Sequence, residues 1–185
     1  MLRLKPKAFS VLNYCPGCAL KPHARQQVIG RGSIPAKLLF LGEGPGKSED
    51  LLGEPFIGPS GRLLEQMMQD AARLADIAIP SHYITNVVMC RPWIWDEDDK
   101  DHGENREPFK EEVLACTPNV MRVAEEVKPQ YVIFVGKTAE RYYKKEFPHH
   151  LRILHPAFHL RYGGQTSPYY PQDVRLLSEI FEELI

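Results

Sequence analysis

The sequence predicts an α/β fold in which a parallel sheet is covered on both faces by helices. Short apolar runs alternate with stretches of helical apolar spacing, the pattern of a sheet buried between two helical layers. The chain has 185 residues, enough for one domain with a buried core and too few for two ordinary domains and a linker. Apolar residues make up 43% and charged residues 25%, which excludes a disordered or fibrous chain.

Four apolar runs read as buried strands, at residues 37–42, 83–89, 131–136 and 152–154. Leu64, Met67, Met68, Ala71, Leu74 and Ala75 recur at spacings of three and four, which predicts a helix. Phe109, Val113, Cys116, Val120, Val123 and Val127 do the same, with Pro118 expected to split or kink that helix. Residues 139–146 suit a short helix. Val174, Leu177, Ile180, Phe181 and Leu184 form a closing amphipathic helix, and His149 and His150 are expected at the surface.

The longest apolar runs are five or six residues, far short of the about 20 that a transmembrane helix needs. The opening MLRLKPKAFS lacks the apolar stretch of a secretory leader. The expectation is a soluble, cytoplasmic protein with no membrane partner. Net charge is −1, so bulk charge advertises no nucleic-acid binder. The distribution is uneven. Residues 96–107 hold seven acids and two bases, a local −5, which leaves +4 on the rest. A mildly positive body with one acidic loop is compatible with a polyanionic partner.

Cys15-Pro-Gly-Cys18 is a CxxC loop, and Cys90 and Cys116 lie far from it in sequence. In a reducing compartment four such cysteines suggest a metal centre more than two disulfides. A thioredoxin-like pair is disfavoured, because no strong strand precedes the loop. Structural zinc usually shows two close pairs, and here only one pair is close. An iron–sulfur cluster accepts scattered thiolates more readily. Cluster, zinc and unligated cysteines all remain open on spacing alone. Cys116 also suits a plain buried position on a helix.

In open parallel sheets the site lies outside the carboxyl ends of the strands. After the first run comes Gly42-Glu43-Gly44-Pro45-Gly46-Lys47-Ser48-Glu49, a tight, backbone-exposing turn. It fits neither the Walker nor the dinucleotide pattern. Glu43 and Glu49 would repel a phosphate, and suit a site that handles a neutral ring or a water. A plain strand-to-helix turn with solvated acids also fits. Next, glycines and prolines hold Phe56 in a loop where it can stack on a planar ligand or simply anchor the loop. Ser60-Gly61 reads as a helix N-cap whose free N–H groups suit a phosphate. Asn86 in an apolar strand is costly unless its amide is satisfied, and that amide matches a pyrimidine edge or a backbone turn. His155, fixed by Pro156, is placed to contact a developing anion.

The ordered set GEGPG, GEPFIGPSG, ITNVVMCRP and HPAFHLR, with CPGC and two later cysteines, resembles the family 4 uracil-DNA glycosylases, the iron–sulfur branch of their superfamily. The resemblance runs from about Cys15 to the end of the chain. It implies a three-layer α/β/α sandwich with a four-stranded parallel sheet, in one domain spanning residues 1–185. It also implies a monofunctional glycosylase that removes uracil from single- or double-stranded DNA as a monomer. Cys15, Cys18, Cys90 and Cys116 would hold a [4Fe–4S] cluster, with zinc as the alternative. Glu43, Asn86 and His155 would form the catalytic set. Glu43 would lie beside the attacking water, Asn86 would read O4 and N3–H, and His155 would bond O2. Gly42, Glu49, Phe56 and Ser60 would complete the base pocket, with Phe56 stacking on uracil and Glu49 excluding thymine's methyl group. Phe158, His159, Leu160 and Arg161 would supply the wedge pressed into DNA.

The chain departs from the family at the wedge, where members usually place a leucine near the position of His159, and in two further places. Gly44 stands where alanine is usual. An acidic insertion at about residues 93–107, opening with Trp93 and Trp95, would repel DNA on the binding face, and is a candidate contact for a protein partner. It also holds His102. A related branch bonds covalently to the abasic sugar through a histidine in this region, but the basic residues that accompany that histidine are absent here. The alternative reading is therefore an inactive or covalently trapping protein of the same fold, bound to DNA or to a replication or repair partner.

Overall fold

The computed structural model describes Cys15, residues 17–94 and residues 103–185. The strands are β1 (Arg31–Gly32), β2 (Leu38–Gly42), β3 (His82–Asn86), β4 (Tyr131–Val135) and β5 (His150–Ile153). The helices are α1 (Lys47–Leu52), α2 (Pro59–Ala75), α3 (Lys110–Val127), α4 (Lys137–Tyr143), α5 (Pro156–Arg161) and α6 (Tyr170–Glu183). The sheet order is β1-β3-β2-β4-β5. Four strands run parallel, and the two-residue β1 adds antiparallel to β3. The four-stranded expectation is therefore corrected to five. β1 is too short, and too poor in apolar residues, to leave a periodic signal.

Strand alternation builds the two cores. Leu39 and Leu41 of β2 and Val132 and Phe134 of β4 face Val113, Val120, Val123 and Val127 of α3 and Ala139 and Tyr143 of α4. Leu38, Phe40, Ile133 and Val135 face the other way, onto Leu64 and Met67 of α2 and Leu177 and Phe181 of α6. Burial on both faces explains why these strands read as unbroken apolar runs.

Several boundaries differ from the sequence reading. β3 ends at Asn86, the register partner of Gly42, and the Val87 N–H makes the last ladder bond to the Gly42 carbonyl at 2.9 Å. α3 runs unbroken through Pro118. The proline ring costs the Leu114 carbonyl its usual donor, and Leu114 lies on the exposed side, where water can serve. The Thr117 hydroxyl reinforces the same turn by donating to the Val113 carbonyl at 3.0 Å. The third helix covers Lys137–Tyr143 rather than 139–146. His150 is not a surface residue: it lies in β5, partly buried, with its ring 5.1 Å from that of Phe134. α1 and α5 are single short helices without an apolar period, and pattern reading passes over them.

Asp173 of α6 ties the end of β5 to the helices. Its carboxylate accepts the Leu154 N–H at 2.9 Å and His159 Nε2–H at 2.8 Å, and Asp173 is 5% exposed. Replacing it by alanine strands two buried donors, each costing about 1–3 kcal/mol. Asp173→Ala should therefore lose about 3 kcal/mol in urea unfolding; a loss below about 1 kcal/mol would contradict the buried bonding seen here.

Candidate active site

A cavity of about 370 Å³ opens at the carboxyl ends of the parallel strands. That is where open α/β sheets place ligands, and the volume suits a small organic group. Glu43, Glu49, Phe56, Ser60, Asn86 and His155 all line it. Their separations in sequence are closed by the sheet: Gly42 of β2 is the register partner of Asn86 of β3, and His155 follows β5.

Gly42 makes this convergence possible. A Cβ there would stand 2.5 Å from the Phe56 ring and 2.5 Å from Asn86 Oδ1. Only glycine lets the ring and the amide approach the strand end together. Phe56 itself has φ +54°, a left-handed backbone that a bulky residue adopts at a cost of order 1–3 kcal/mol. Glu49 holds it there by accepting the N–H groups of Ile57 at 3.2 Å and Gly58 at 3.0 Å. Gly61 completes the brace, since any side chain there would collide with the Phe56 carbonyl. The cap of α2 is Gly58 and not Ser60, because the helix already begins at Pro59; Ser60 lies in its first turn and at the cavity wall.

Asn86 is 1% exposed, and its Oδ1 has no hydrogen-bond partner among the described residues. A buried, unpaired acceptor costs about 1–3 kcal/mol until a donor reaches it. His155 caps α5, with the Ala157 N–H donating to its Nδ1 at 3.1 Å. Burial, with the charge of Arg161, lowers its pKa to about 4. The ring is therefore neutral at pH 7. Since Nδ1 accepts, Nε2 carries the proton and is a donor. The Phe56 and His155 rings lie 6.2 Å apart at 35°.

Glu43 sits at the turn after β2. The Thr138 hydroxyl donates to its Oε2 at 2.6 Å. Burial raises the Glu43 pKa above the usual carboxylate range; the Thr138 bond lowers it and the nearby charge of Glu107 raises it. Thr138 was not read from the sequence. Its signal was present, since it stands three residues beyond the end of β4, where the strand-end rule points.

The C-terminal end of the acidic insertion reaches the cavity. Trp93 and Asn105 form an antiparallel bridge, and the Ile94 N–H donates to the Glu104 carbonyl at 2.9 Å. Arg91, 5% exposed, donates through Nε to Asn105 Oδ1 at 2.7 Å and lies over the Trp93 ring. Arg106 holds Glu112 of α3 with bonds of 2.8 and 2.7 Å. Asn105 and Arg106 both line the cavity wall. Trp95, His102 and most of the acidic run lie outside the described residues.

Of the four wedge candidates, His159 is ruled out. It is fully buried, bonded to Asp173 and, at 3.1 Å, to Ser167 Oγ, and so is a tether between α5 and α6. Leu160 and Arg161 are exposed, Leu160 at 41%. Phe158 is partly buried against Tyr162 and Tyr169 at ring separations of 4.7 and 5.5 Å. Those two tyrosines, about half exposed, extend the aromatic surface beyond the predicted wedge.

The four cysteines are free thiols lining one small pocket, with Leu20, Val88 and Met89. Burial pushes the Cys90 thiol up to about 12, and the charges of the other three cysteines add to the shift. Such thiols ionise together only around a positive group. Four soft ligands in an apolar shell fit a thiolate-bound metal group. Among the described residues no three His, Cys, Asp or Glu side chains are gathered tightly enough to hold a single ion. No helix among them is long and apolar enough to cross a membrane.

A family model described as the uracil DNA glycosylase superfamily matches residues 29–184. A type-4 uracil-DNA glycosylase of Archaeoglobus fulgidus is 31% identical over 178 residues, covering 91% of this chain and 82% of that protein. One of Saccharolobus solfataricus is 33% identical over 132 residues, covering 71% of this chain and 55% of that protein. One of Thermotoga maritima is 34% identical over 126 residues, covering 68% and 58%. The matched part thus spans little more than half the length of the last two.

The tautomer of His155 is open to direct measurement. Nitrogen NMR should find Nδ1 bare and Nε2 protonated at pH 7, with a titration midpoint near 4. A midpoint at 6 or above would contradict a buried neutral ring.

Proposed function

Because this chain belongs to the type-4 branch of the uracil-DNA glycosylase superfamily, we propose that it hydrolyses the N-glycosidic bond of uracil in DNA and leaves an abasic site. The observation that carries this reading is the unpartnered Oδ1 of Asn86, a buried acceptor on a residue that lines the cavity beside the Phe56 ring.

Uracil's N3–H is the donor that Oδ1 lacks, and the amide nitrogen meets O4. Cytosine reverses both groups, presenting a bare N3 and an amino donor, so it leaves the amide mispaired. The base must first leave the duplex stack. The Phe56 face then stacks on it. As the glycosidic bond breaks, negative charge gathers on the pyrimidine, and the neutral His155 donates Nε2–H to O2. One such donor is worth about 10²–10³ in rate. Glu43 faces the sugar side, where its carboxylate opposes the growing positive charge and orders the water that adds to C1′. Glu49, already committed to two backbone N–H groups, walls the pocket. Leu160 and Arg161 are the outward members of the wedge.

The four cysteines would hold a [4Fe–4S] cluster that cross-links the CxxC loop, the segment after β3 and α3. Its role would be structural, since it would pin Cys90 four residues beyond Asn86. Zinc is the alternative.

Two outcomes follow. Asn86→Ala and His155→Ala should each lower single-turnover excision of uracil by about 10²–10³, with the fold intact by circular dichroism; near-normal rates in both would overturn the site. Protein purified without oxygen should contain about four iron and four sulfide per chain, whereas about one zinc would replace the cluster by the alternative.

A further inference from the structure

The Thr138 hydroxyl stands between two carboxylates from distant parts of the chain. It lies 2.6 Å from Glu43 Oε2 and 3.2 Å from Glu107 Oε1. Glu107 closes the acidic insertion, and Arg141, one turn along α4 from Thr138, pairs with the same Oε1 at 2.8 Å. A hydroxyl has one proton to donate. Two carboxylates within reach must share it, and the shorter bond goes to Glu43.

The placement of these groups is enforced. Gly136, at φ +97°, turns the chain sharply between β4 and α4. A side chain there would press on His155 Cβ at 3.2 Å, so the turn carrying Thr138 also abuts the histidine loop. Thr138 is 2% exposed, which leaves its hydroxyl no freedom to seek water. Glu107 is held by Arg141 on one side, and by the Arg106–Glu112 pair next to it in the chain.

We propose that Thr138 is a positioning residue that aims the Glu43 carboxylate into the cavity, and that Glu107 competes for the same hydroxyl proton, coupling the acidic insertion to the catalytic site. This rests on the role given to Glu43 above. When Glu43 is charged, Thr138 donates to it. When Glu43 takes up a proton, the hydroxyl is released to donate to Glu107. The Glu107 end of the insertion then acts on the reaction through one side chain.

The charged groups facing Glu43 are Glu107, Lys137 and Arg141. Lys47, Glu49, Arg106 and His155 also line the cavity. Glu107 favours the protonated form of Glu43, while the Thr138 bond, Lys137 and Arg141 favour the charged form. If charged Glu43 is the active form, activity falls as pH drops through its pKa. Removing the hydroxyl and removing the Glu107 charge therefore move that limb in opposite directions.

The test compares Thr138→Val, Thr138→Ser and Glu107→Gln with the wild-type chain in single-turnover excision across pH. The Glu43 carboxyl is followed in parallel by carbon NMR. Thr138→Val should lower the maximal rate about tenfold with little change in KM, and shift the acid limb and the Glu43 titration to higher pH. Thr138→Ser should restore both. Glu107→Gln should move both to lower pH. A valine variant indistinguishable from wild type, a serine variant as poor as valine, or an unmoved titration in Glu107→Gln would each overturn the proposal. Should the valine variant fail to fold, the serine and glutamine variants still decide it. A wild-type chain that excises nothing would instead defeat the functional reading, and the Glu43 titrations would still judge the hydrogen-bond coupling.

Discussion

The site depends on one crowded point, where β2 and β3 end side by side. Gly42 and Asn86 are paired in register there, and the missing side chain of Gly42 admits both the Phe56 ring and the Asn86 amide. The Phe56 loop is built around that convergence. Phe56 accepts a strained backbone, Glu49 spends both its hydrogen bonds bracing the loop, and Gly61 lets α2 lie directly on the Phe56 carbonyl. Buried polar groups are stabilised only when partnered, and this one retains an empty acceptor. The fold therefore holds a small deficit that a ligand with a matching N–H removes.

Two electrostatic choices complete the arrangement. His155 is kept neutral by burial, so its donor is present without a cation that would attract water or phosphate into the pocket. Its low pKa makes the folded state bind fewer protons than the unfolded chain, so this group withdraws stability as pH falls from about 6.5 to about 4. Glu43 is raised by burial, yet its carboxylate accepts the Thr138 hydroxyl. The Glu43 carboxylate and the neutral His155 imidazole thus both line the cavity, a pairing suited to a bond that breaks into a cationic sugar and an anionic base.

Much of this was legible in the sequence, and the physical reasons are specific. Strands buried on both faces write continuous apolar runs, so β2 and β4 were found almost to the residue. The rule that sites follow strand ends led to Glu43, Asn86 and His155, and the structure gathers all three at one cavity. What escaped has no periodic or compositional mark. β1 is two residues long, and α1 and α5 are single short helices. His159 looked like an exposed wedge residue because its partners, Ser167 and Asp173, lie 8 and 14 residues away and only folding brings them near. Glu107 read only as part of the acidic insertion, whereas the structure sets it beside Thr138, two residues past the Trp93–Asn105 bridge.

The central claim is that this cavity recognises a uracil drawn out of DNA and releases it by hydrolysis. Its most direct test is to incubate cluster-loaded protein with an oligonucleotide carrying a single uracil, beside one carrying cytosine. Both are then run on denaturing gels with and without alkali. The account predicts strand cleavage at the uracil position after alkali, none without it, and none at cytosine. An intact uracil strand after alkali, or equal cleavage at cytosine, would contradict it.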